Sequence, residues 1–331
     1  MARFIFYDNR IINILLKEEK PSGGAAVQAY GWIRGLLAEG QEVVVLTHLS
    51  KNGAIKEDCR DIKLIPLYQS KKGIRWLRWV YYRLPYIYRT IKHIRPDYVY
   101  EGIPCWSSFV FALICRQLKV KYILRISSDS LLDDRIYQRR SKLHLFFQTL
   151  GMRLSQCILC QNEYQFDLVK KKFPGKKVFK IPNPIFVKNN VSATDSSSRH
   201  YIAWLGLFQY QKNLPLLFEI ASVLKEEMFW IAGKEHEGCD EQTLSSLHKL
   251  KQLPNVRFVG FLERDQVLPY LAKAKFLLNT SHYEGFSNTF LEAMSVGTPI
   301  ITSENVNPDH IITKHKLGIV YKNVPDLQHQ Y

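Results

Sequence analysis

The stretch FLLNTSHYEGFSNTFLEAMSVGTPIITS, residues 276–303, contains the pattern that decides the fold. FLLNT at 276–280 is a short apolar run of the kind found in buried strands. Residues 288–296 carry apolar side chains at helical spacing and end before Gly297, and PIITS at 299–303 is a second apolar run. A strand, a helix and a strand in succession predict a parallel strand pair joined by a crossover helix.

The same alternation extends in both directions from this stretch. The predicted strands are RFIFY (3–7), VVVLT (43–47), YVY (98–100), YILRI (122–126), CILC (157–160), VFKIP (178–182), YIAWLG (201–206), FWIAG (229–233) and VRFVG (256–260). The predicted helices span 25–39, 106–118, 141–155, 214–225, 240–251 and 265–273. Apolar strands alternating with helices indicate an α/β fold whose parallel sheets are covered on both faces.

A polar break divides this pattern into two doubly wound, Rossmann-like domains. KNNVSATDSSSR, residues 188–199, has no periodicity and is the predicted linker between domains at 1–187 and 200–331. Ligands of open α/β sheets bind at the carboxyl ends of the strands. We therefore expect both sheets to face one cleft that holds the functional site.

Charge is distributed unevenly between the two parts. Residues 1–195 hold 33 Lys and Arg against 16 Asp and Glu, a net charge of +17, whereas residues 196–331 hold 13 against 14. A basic front half beside a neutral back half indicates two domains with different partners.

The most basic segment, residues 71–95, carries eight Lys and Arg and no acid. Its apolar and aromatic residues recur at helical spacing, at Ile74, Leu77, Tyr81, Leu84, Tyr88 and Ile91. Pro85 interrupts this pattern. Two interpretations stay open, a helix that contacts an anionic membrane surface and a core-facing helix with a solvated basic face. The residues assigned to the acceptor or the membrane are Arg75, Trp76, Arg78, Trp79 and Arg83.

Several classes of protein are excluded by composition. The longest apolar run, near 109–115, is far below the roughly 18 residues of a membrane span. The N-terminus has no signal-peptide pattern. Six scattered cysteines do not form a disulfide framework, and the pair Cys157 and Cys160 is interpreted as strand filler. These features predict a protein of the reducing cytosol, and the absence of D-x-D, HExxH or Cys/His patterns predicts no metal.

The turn between strand 276–280 and helix 288–296 predicts an anion site. Ser287 suits the N-cap, so the helix begins near Asn288 and directs its free amides and positive dipole end towards the cleft. Glu284 and Glu292 flank this site, and carboxylates suit sugar hydroxyls because each accepts several hydrogen bonds. The spacing E-x7-E alone is weak evidence, because the chain contains three such pairs.

Other candidates follow strand ends. Lys212 lies before a helix, where a cation costs ~0.3–1 kcal/mol against the dipole unless an anion is bound. Gly23 and Gly24 precede the first helix and permit a close backbone approach, although no GxGxxG is present. Asp129 and Glu101 each follow a strand of the front domain, and a lone carboxylate there is more often structural.

With these residues in place, the chain resembles the group 1 (family 4) retaining glycosyltransferases of the GT-B fold. The resemblance rests on PSGGAAVQAYGWIRGLLAEGQEVVVLT, VFKIPNPI, YIAWLGLFQYQKNLPLLFEIA and FWIAGKE. YEGFSNTFLEAMSVGTPIITS matches the family's most specific signature.

The resemblance implies transfer from a nucleotide-sugar donor with retention and without metal or another cofactor. It places the ribose on Glu292, the donor sugar on Glu284, and Asp129 in the front domain near the sugar. The diphosphate would lie against Lys212, Gly23, Gly24 and the amides around Phe286, Ser287, Asn288 and Thr289. The implied acceptor is lipid-linked or a polysaccharide, in bacterial surface polysaccharide synthesis at the inner face of the membrane, and no nucleic acid partner is expected.

Three departures from the family accompany the resemblance. Leu207 stands where the family often has Arg, Asp129 stands where a His is common, and the family usually continues beyond Tyr331. The last departure implies a chain shortened at its C-terminus. Two alternatives remain: a non-enzymatic membrane or nucleic-acid binding protein that uses the basic half, and a sugar-nucleotide epimerase or phosphorylase of the same fold.

Overall fold

The computed structural model describes residues 1–8, 10–17, 24–47, 54–69, 72–75, 77–136, 140–185, 198–236 and 238–331. The chain forms two compact units, Met1–Phe186 and Val187–Tyr331. Most of the predicted linker, residues 188–197, lies outside the described residues, so the boundaries of the linker stay a prediction.

The first unit is built around a parallel sheet. Within the described residues it has seven strands in the order β3-β2-β1-β4-β5-β6-β7. They are β1 Arg3–Tyr7, β2 Glu42–Thr47, β3 Lys63–Pro66, β4 Tyr98–Glu101, β5 Lys121–Arg125, β6 Cys157–Cys160 and β7 Val178–Lys180. Six agree with the sequence prediction to within a few residues. β3 was not predicted, because this four-residue edge strand lacks an apolar run.

Helices cover both faces of this sheet. They are α1 Ile12–Leu15, α2 Gly24–Ala38, α3 Leu84–Ile94, α4 Ser108–Gln117, α5 Lys142–Leu154 and α6 Glu163–Lys172. α2 packs through Ala29 and Ile33 on one face. α3, α4, α5 and α6 form a layer on the other face, where Ile91, Phe111 and Met152 share one core.

Cys157 and Cys160 lie in strand β6 and point to opposite faces of the sheet, because Cys157 joins the core under α2 and Cys160 the core under α3 to α6. Both are free and buried. Burial raises the pKa of both thiols. Their interpretation as strand filler is confirmed.

The basic segment differs from its predicted form. A π-helical turn at Trp79–Arg83 runs directly into α3, and Pro85 lies in the first turn of α3, where a missing N–H costs little. The wider turn shifts the helical phase, so the predicted stripe does not keep to one face. Ile87, Ile91 and Ile94 are the buried residues of α3. The predicted stripe members Ile74, Leu77, Tyr81 and Leu84 are exposed instead, so the core-facing interpretation holds for α3 but not for the residues before it.

The second unit has a parallel sheet with six strands in the described residues, in the order β10-β9-β8-β11-β12-β13. They are β8 Tyr201–Phe208, β9 Phe229–Glu235, β10 Val256–Gly260, β11 Ala274–Asn279, β12 Ile300–Ser303 and β13 Gly318–Tyr321. The helices are α7 Leu214–Val223, α8 Glu241–Leu250, α9 Arg264–Ala272, α10 Asn288–Ser295, α11 Ile311–Lys314 and α12 Val324–Gln330. β13, α11 and α12 were not predicted.

Candidate functional site

The strand order of the second unit reverses between β8 and β11, which are neighbours in the sheet. From β8 the chain proceeds to β9 and β10 on one side, and then returns to β11 on the other. The loops that follow β8 and β11 diverge at such a point and leave a crevice where ligands of open α/β sheets bind. The predicted donor residues of this unit lie in or directly after these two loops.

Lys212 and Glu284 meet across these loops. The Lys212 Nζ atom lies 2.5 Å from Glu284 Oε1, and the two side chains are only 17% and 12% exposed. The same oxygen accepts a hydrogen bond of 2.9 Å from Ser281 Oγ. The second carboxylate oxygen, Oε2, has no partner among the described residues, so it is available to a ligand.

Backbone and side-chain bonds tie the two loops together. The Gln211 side chain donates to the Tyr283 carbonyl at 3.0 Å, and the His282 amide donates to the Gln211 carbonyl at 2.9 Å. The Thr280 hydroxyl donates to the Lys212 carbonyl at 2.8 Å and accepts from Trp204 Nε1 at 3.0 Å. Lys212 is therefore held in place at its backbone as well as at its ammonium group.

Helix α10 begins at Asn288, beside Glu284, as predicted. Ser287 occupies the N-cap position, but its hydroxyl does not cap the helix and instead shares a hydrogen bond of 2.8 Å with Thr289 Oγ1. Gly297 takes φ +67° after the last turn, as expected of a helix terminator. The positive end of the helix dipole thus lies close to the Lys212–Glu284 pair.

Glu292 lies in the second turn of α10 and is half-buried. No hydrogen-bond donor among the described residues contacts its carboxylate. Burial raises the pKa of Glu292 to about 7, and the Arg264 guanidinium offsets part of this effect. A desolvated carboxylate without a partner is costly to maintain, and hydroxyl groups of a ligand would satisfy it.

Glycines bring the strands of this site close together. A Cβ atom on Gly206 would lie 3.3 Å from Lys212 Cδ, so the absence of a side chain lets the Lys212 stem pack against β8. A Cβ atom on Gly233 would lie 2.0 Å from the Gly206 carbonyl oxygen. Leu207, which replaces a frequent Arg of the family, follows Gly206 within β8 and supplies no cation.

The carboxylates predicted in the first unit are both held by neighbours. Asp129 accepts hydrogen bonds from Gln165 Nε2 at 2.7 Å and Asn162 Nδ2 at 3.3 Å, and burial raises its pKa. Glu101 is fully buried and accepts hydrogen bonds from the Tyr122 hydroxyl and the Cys105 thiol. Burial raises the pKa of Glu101 to about 7, and its role is structural.

Two of the predicted residues, Gly23 and Trp76, lie outside the described residues, whereas Gly24 begins α2. Among the basic candidates, Arg75 is exposed and Arg78 is half-buried. The Arg83 guanidinium lies over the Tyr68 and Trp79 rings, 4.9 Å from each centroid. Trp79 also packs against the Trp106 ring at 4.5 Å. Arg83 and Trp79 therefore make contacts within the unit while each stays half-buried, and their assignment to the acceptor or the membrane stays a prediction.

Comparison with known families identifies the chain. A family model described as Glycosyltransferase Family 4 matches residues 22–188, and one described as Glycosyl transferases group 1 matches residues 189–329. The chain belongs to glycosyltransferase family 4. The predicted family is thereby confirmed, and the donor residues of the second unit lie within the group 1 match.

Two curated proteins are similar in sequence to this family 4 chain. It is 23% identical over 240 residues to the 2-deoxystreptamine N-acetyl-D-glucosaminyltransferase of Niallia circulans. The matched region covers 69% of the chain and 54% of that enzyme. It is 26% identical over 180 residues to the alpha-monoglucosyldiacylglycerol synthase of Streptococcus pneumoniae, which covers 50% of the chain and 40% of that enzyme. The chain thus spans about half of the length of these relatives.

Solved structures share the fold of this family 4 chain. HepE of Anabaena, in complex with UDP, matches with a TM-score of 0.75 at 15% identity over 99% of the chain and 88% of HepE. Sucrose-phosphate synthase of Thermosynechococcus elongatus matches with a TM-score of 0.73 at 14% identity over 99% of the chain and 88% of that enzyme. At these identities the likeness shows the fold, and the predicted GT-B fold with two Rossmann-like units is confirmed.

In the described residues, no helix is long and apolar enough to cross a membrane. Over the same ranges, no three His, Cys, Asp or Glu residues cluster closely enough to hold a metal ion. That the reaction needs neither a metal nor another cofactor stays a prediction.

Sequence reasoning missed Ser281, Thr280 and Arg264. Ser281 stands three residues before Glu284, directly after a strand, and this position was a usable signal for a residue that orients the carboxylate. No sequence pattern indicated Arg264, because only the packing of α9 beside α10 brings it near Glu292.

Proposed function

We propose that this protein transfers a sugar from a nucleotide-sugar donor to an acceptor hydroxyl, with retention at the anomeric carbon and without a metal ion. The bond between the anomeric carbon and the donor diphosphate breaks, and a bond to the acceptor oxygen forms on the same face. The acceptor proton leaves with the diphosphate. The structure of HepE in complex with UDP supports a UDP-sugar as the first donor to test.

The unpartnered carboxylate of Glu292 carries this proposal. Ribose hydroxyls would donate to it and remove the cost of its burial. The amides at the start of α10 and the Lys212 ammonium would hold the diphosphate, where the positive end of the helix dipole adds to the attraction. As negative charge develops on the leaving diphosphate, Lys212 would turn from Glu284 towards it and stabilise the transition state.

Glu284 would then act on the sugar. Its Oε1 atom would keep the hydrogen bond from Ser281 after Lys212 turns away, and Oε2 would accept a hydrogen bond from a sugar hydroxyl near the reacting carbon. We also propose that the first unit binds the acceptor, and the role of Asp129, which is held by Gln165 and Asn162, stays a prediction. No covalent intermediate is part of this proposal.

We also propose a lipid-linked or polysaccharide acceptor at the cytoplasmic face of a membrane. The glucosyldiacylglycerol synthase among the relatives supports an acceptor of this kind, as does the lipopolysaccharide galactosyltransferase WaaB among the structures of similar fold. The basic segment defined above contains no acidic residue and would meet anionic headgroups.

Thermal unfolding with UDP, GDP, ADP and CMP, each with and without EDTA, tests the donor site. A nucleotide at 100 times its dissociation constant adds ~2.7 kcal/mol to the free energy of unfolding. We expect one nucleotide to stabilise the wild type and not Glu292→Ala. Glu226→Ala, which removes an exposed carboxylate of the same unit, serves as the matched control and should respond as the wild type does.

The outcomes separate the parts of the proposal. If no nucleotide stabilises the wild type, the donor site is wrong. If stabilisation disappears in EDTA, the metal-free reaction is wrong. With the donor identified, NMR of the product shows whether the anomeric configuration is retained, and products formed from donor alone would indicate an epimerase.

A further inference from the structure

Three of the four helices in the layer of the first unit, α3, α4 and α5, contain no acidic residue, whereas α6 contains Glu163 and Asp167. Residues 72–95, 108–117 and 142–154 include ten Lys and Arg and not one Asp or Glu. These three helices bury their inner faces against one side of the sheet, through residues such as Ile91, Phe111 and Met152. Their outer faces therefore form one cationic surface, called the acid-free layer below.

Large apolar side chains are exposed on this same surface. In the described part of the chain they are Ile74, Leu77, Val80, Tyr81, Leu84, Leu113, Leu143 and Phe146. Those from 74 to 84 belong to the basic segment recognised in the sequence. Leu113 on α4 and Leu143 and Phe146 on α5 form a second patch, which no sequence pattern indicated. Clusters of exposed apolar residues of this kind mark interaction sites.

Ring contacts connect the two patches. Trp79, in the π-helical turn, contacts Trp106 just before α4, with 4.5 Å between ring centroids. Phe109 on α4 contacts Phe147 on α5 at 5.3 Å, and Phe147 contacts Phe146 at 5.4 Å. Gly151 lets α5 approach α4 closely, because a Cβ atom there would lie 2.6 Å from the Phe109 amide nitrogen. These contacts pack the elements that carry the two patches against each other.

We propose that Leu113, Leu143 and Phe146 insert into an anionic lipid bilayer and anchor the protein, beside the contact made by the basic segment. This inference rests on the membrane location proposed above and adds a second, apolar anchor. Arg116 and Lys142 lie on the same helices as these residues and would meet lipid phosphates. A second copy of the chain is a poor occupant, because two cationic faces without carboxylates would repel each other.

Flotation with vesicles of phosphatidylcholine mixed with the anionic lipid phosphatidylglycerol tests the anchor. We expect Phe146→Ser and Leu143→Ser each to lower the partition coefficient about tenfold, since each removes one buried apolar side chain. Phe179→Ser is the matched control. Phe179 is 50% exposed against 60% for Phe146, and it lies on β7 next to Val178, which packs under the acid-free layer. Phe179 therefore points to the opposite face of the sheet.

Each outcome decides between occupants. Unchanged partitioning of Phe146→Ser, with melting temperatures equal to the wild type, would overturn the anchor. If the double variant Arg75→Gln, Arg78→Gln weakens vesicle binding while the α5 variants do not, the basic segment is the membrane contact and the apolar anchor is overturned. A wild type that binds no vesicles overturns both membrane proposals and leaves the nucleotide test unaffected. A dimer in light scattering that Phe146→Ser dissociates would assign the patch to a second copy.

Discussion

Glu292 shows at the scale of one residue how a binding site opposes stability. Its half-buried carboxylate has no hydrogen-bond donor among the described residues, so the folded protein carries part of the cost of desolvating it. Its pKa is about 7 in the folded protein against an ordinary value of 4.5. The folded state therefore retains a proton that the unfolded chain releases between these pH values. The free energy of unfolding must fall as the pH rises through this window and stay lower above it.

Glu292→Gln should remove this pH dependence. At pH 8 we expect the variant to be more stable than the wild type by about 1–3 kcal/mol, and at pH 4 the two should be equal. Urea unfolding at both pH values measures the difference. A variant that is less stable at pH 8 would show that Glu292 makes stabilising interactions as a carboxylate.

The Lys212–Glu284 pair should couple strongly. Lys212→Met leaves the Glu284 carboxylate, 12% exposed, without its cation, and should destabilise the protein by about 1–3 kcal/mol. Adding Glu284→Gln should restore most of that loss, because the unpaired charge is then gone. A double-mutant cycle by urea unfolding gives the coupling energy. Additive effects of the two substitutions would contradict the pairing.

At the scale of elements, the site depends on how closely β8 approaches β9. Gly206 and Gly233 are paired in the parallel register of these strands. Neither position has room for a side chain that keeps both the strand pairing and the Lys212 stem in place. The helical phase of the basic segment is likewise a property of the element, since one π-helical turn moves Ile74 and Leu77 away from the core.

Gly233→Ala should destabilise the second unit by about 2 kcal/mol or more, because its Cβ would lie 2.0 Å from a backbone oxygen that cannot move aside freely. Gly35→Ala is the control. No atom lies within 4 Å of a Cβ at Gly35, which is in α2, so the change should stabilise by about 0.5–1 kcal/mol. Thermal unfolding of both variants checks the contrast, and equal melting temperatures would contradict the strand geometry.

At the scale of the whole molecule, each unit has its own cores and its own chemistry. The first unit contains the acid-free layer and most of the excess positive charge, and the second contains the proposed anion site and a nearly balanced charge. Nucleotide binding should therefore act on the second unit first. We expect hydrogen exchange with UDP to slow at residues 209–213 and 281–289, while the central strands of the first unit stay unchanged.

Hydrogen exchange measured by mass spectrometry on the full chain, with and without UDP, makes this comparison. Glu292→Ala should abolish the protection at both loops. Protection confined to the acid-free layer would instead place the nucleotide in the first unit and contradict the proposed donor site.

The order of strands and helices, the two-unit α/β fold, the family and the start of α10 could be read from local patterns. Apolar runs, Gly terminators and the spacing around Glu284 and Glu292 are properties of neighbours in the chain, so the sequence states them directly. The edge strands β3 and β13 escaped prediction. β3 has only two apolar residues before Pro66, whereas β13 was missed although LGIVY at 317–321 is an apolar run.

Other features depended on contacts between residues distant in the chain. The bond between Lys212 and Glu284 joins loops 72 residues apart, and the nearness of Arg264 to Glu292 arises from the packing of α9 on α10. The burial that raises the pKa of Glu292 and the exposure of Phe146 follow from which helix faces meet the sheets. Periodicity identifies an apolar stripe, but only packing decides which side chains lose their contact with water.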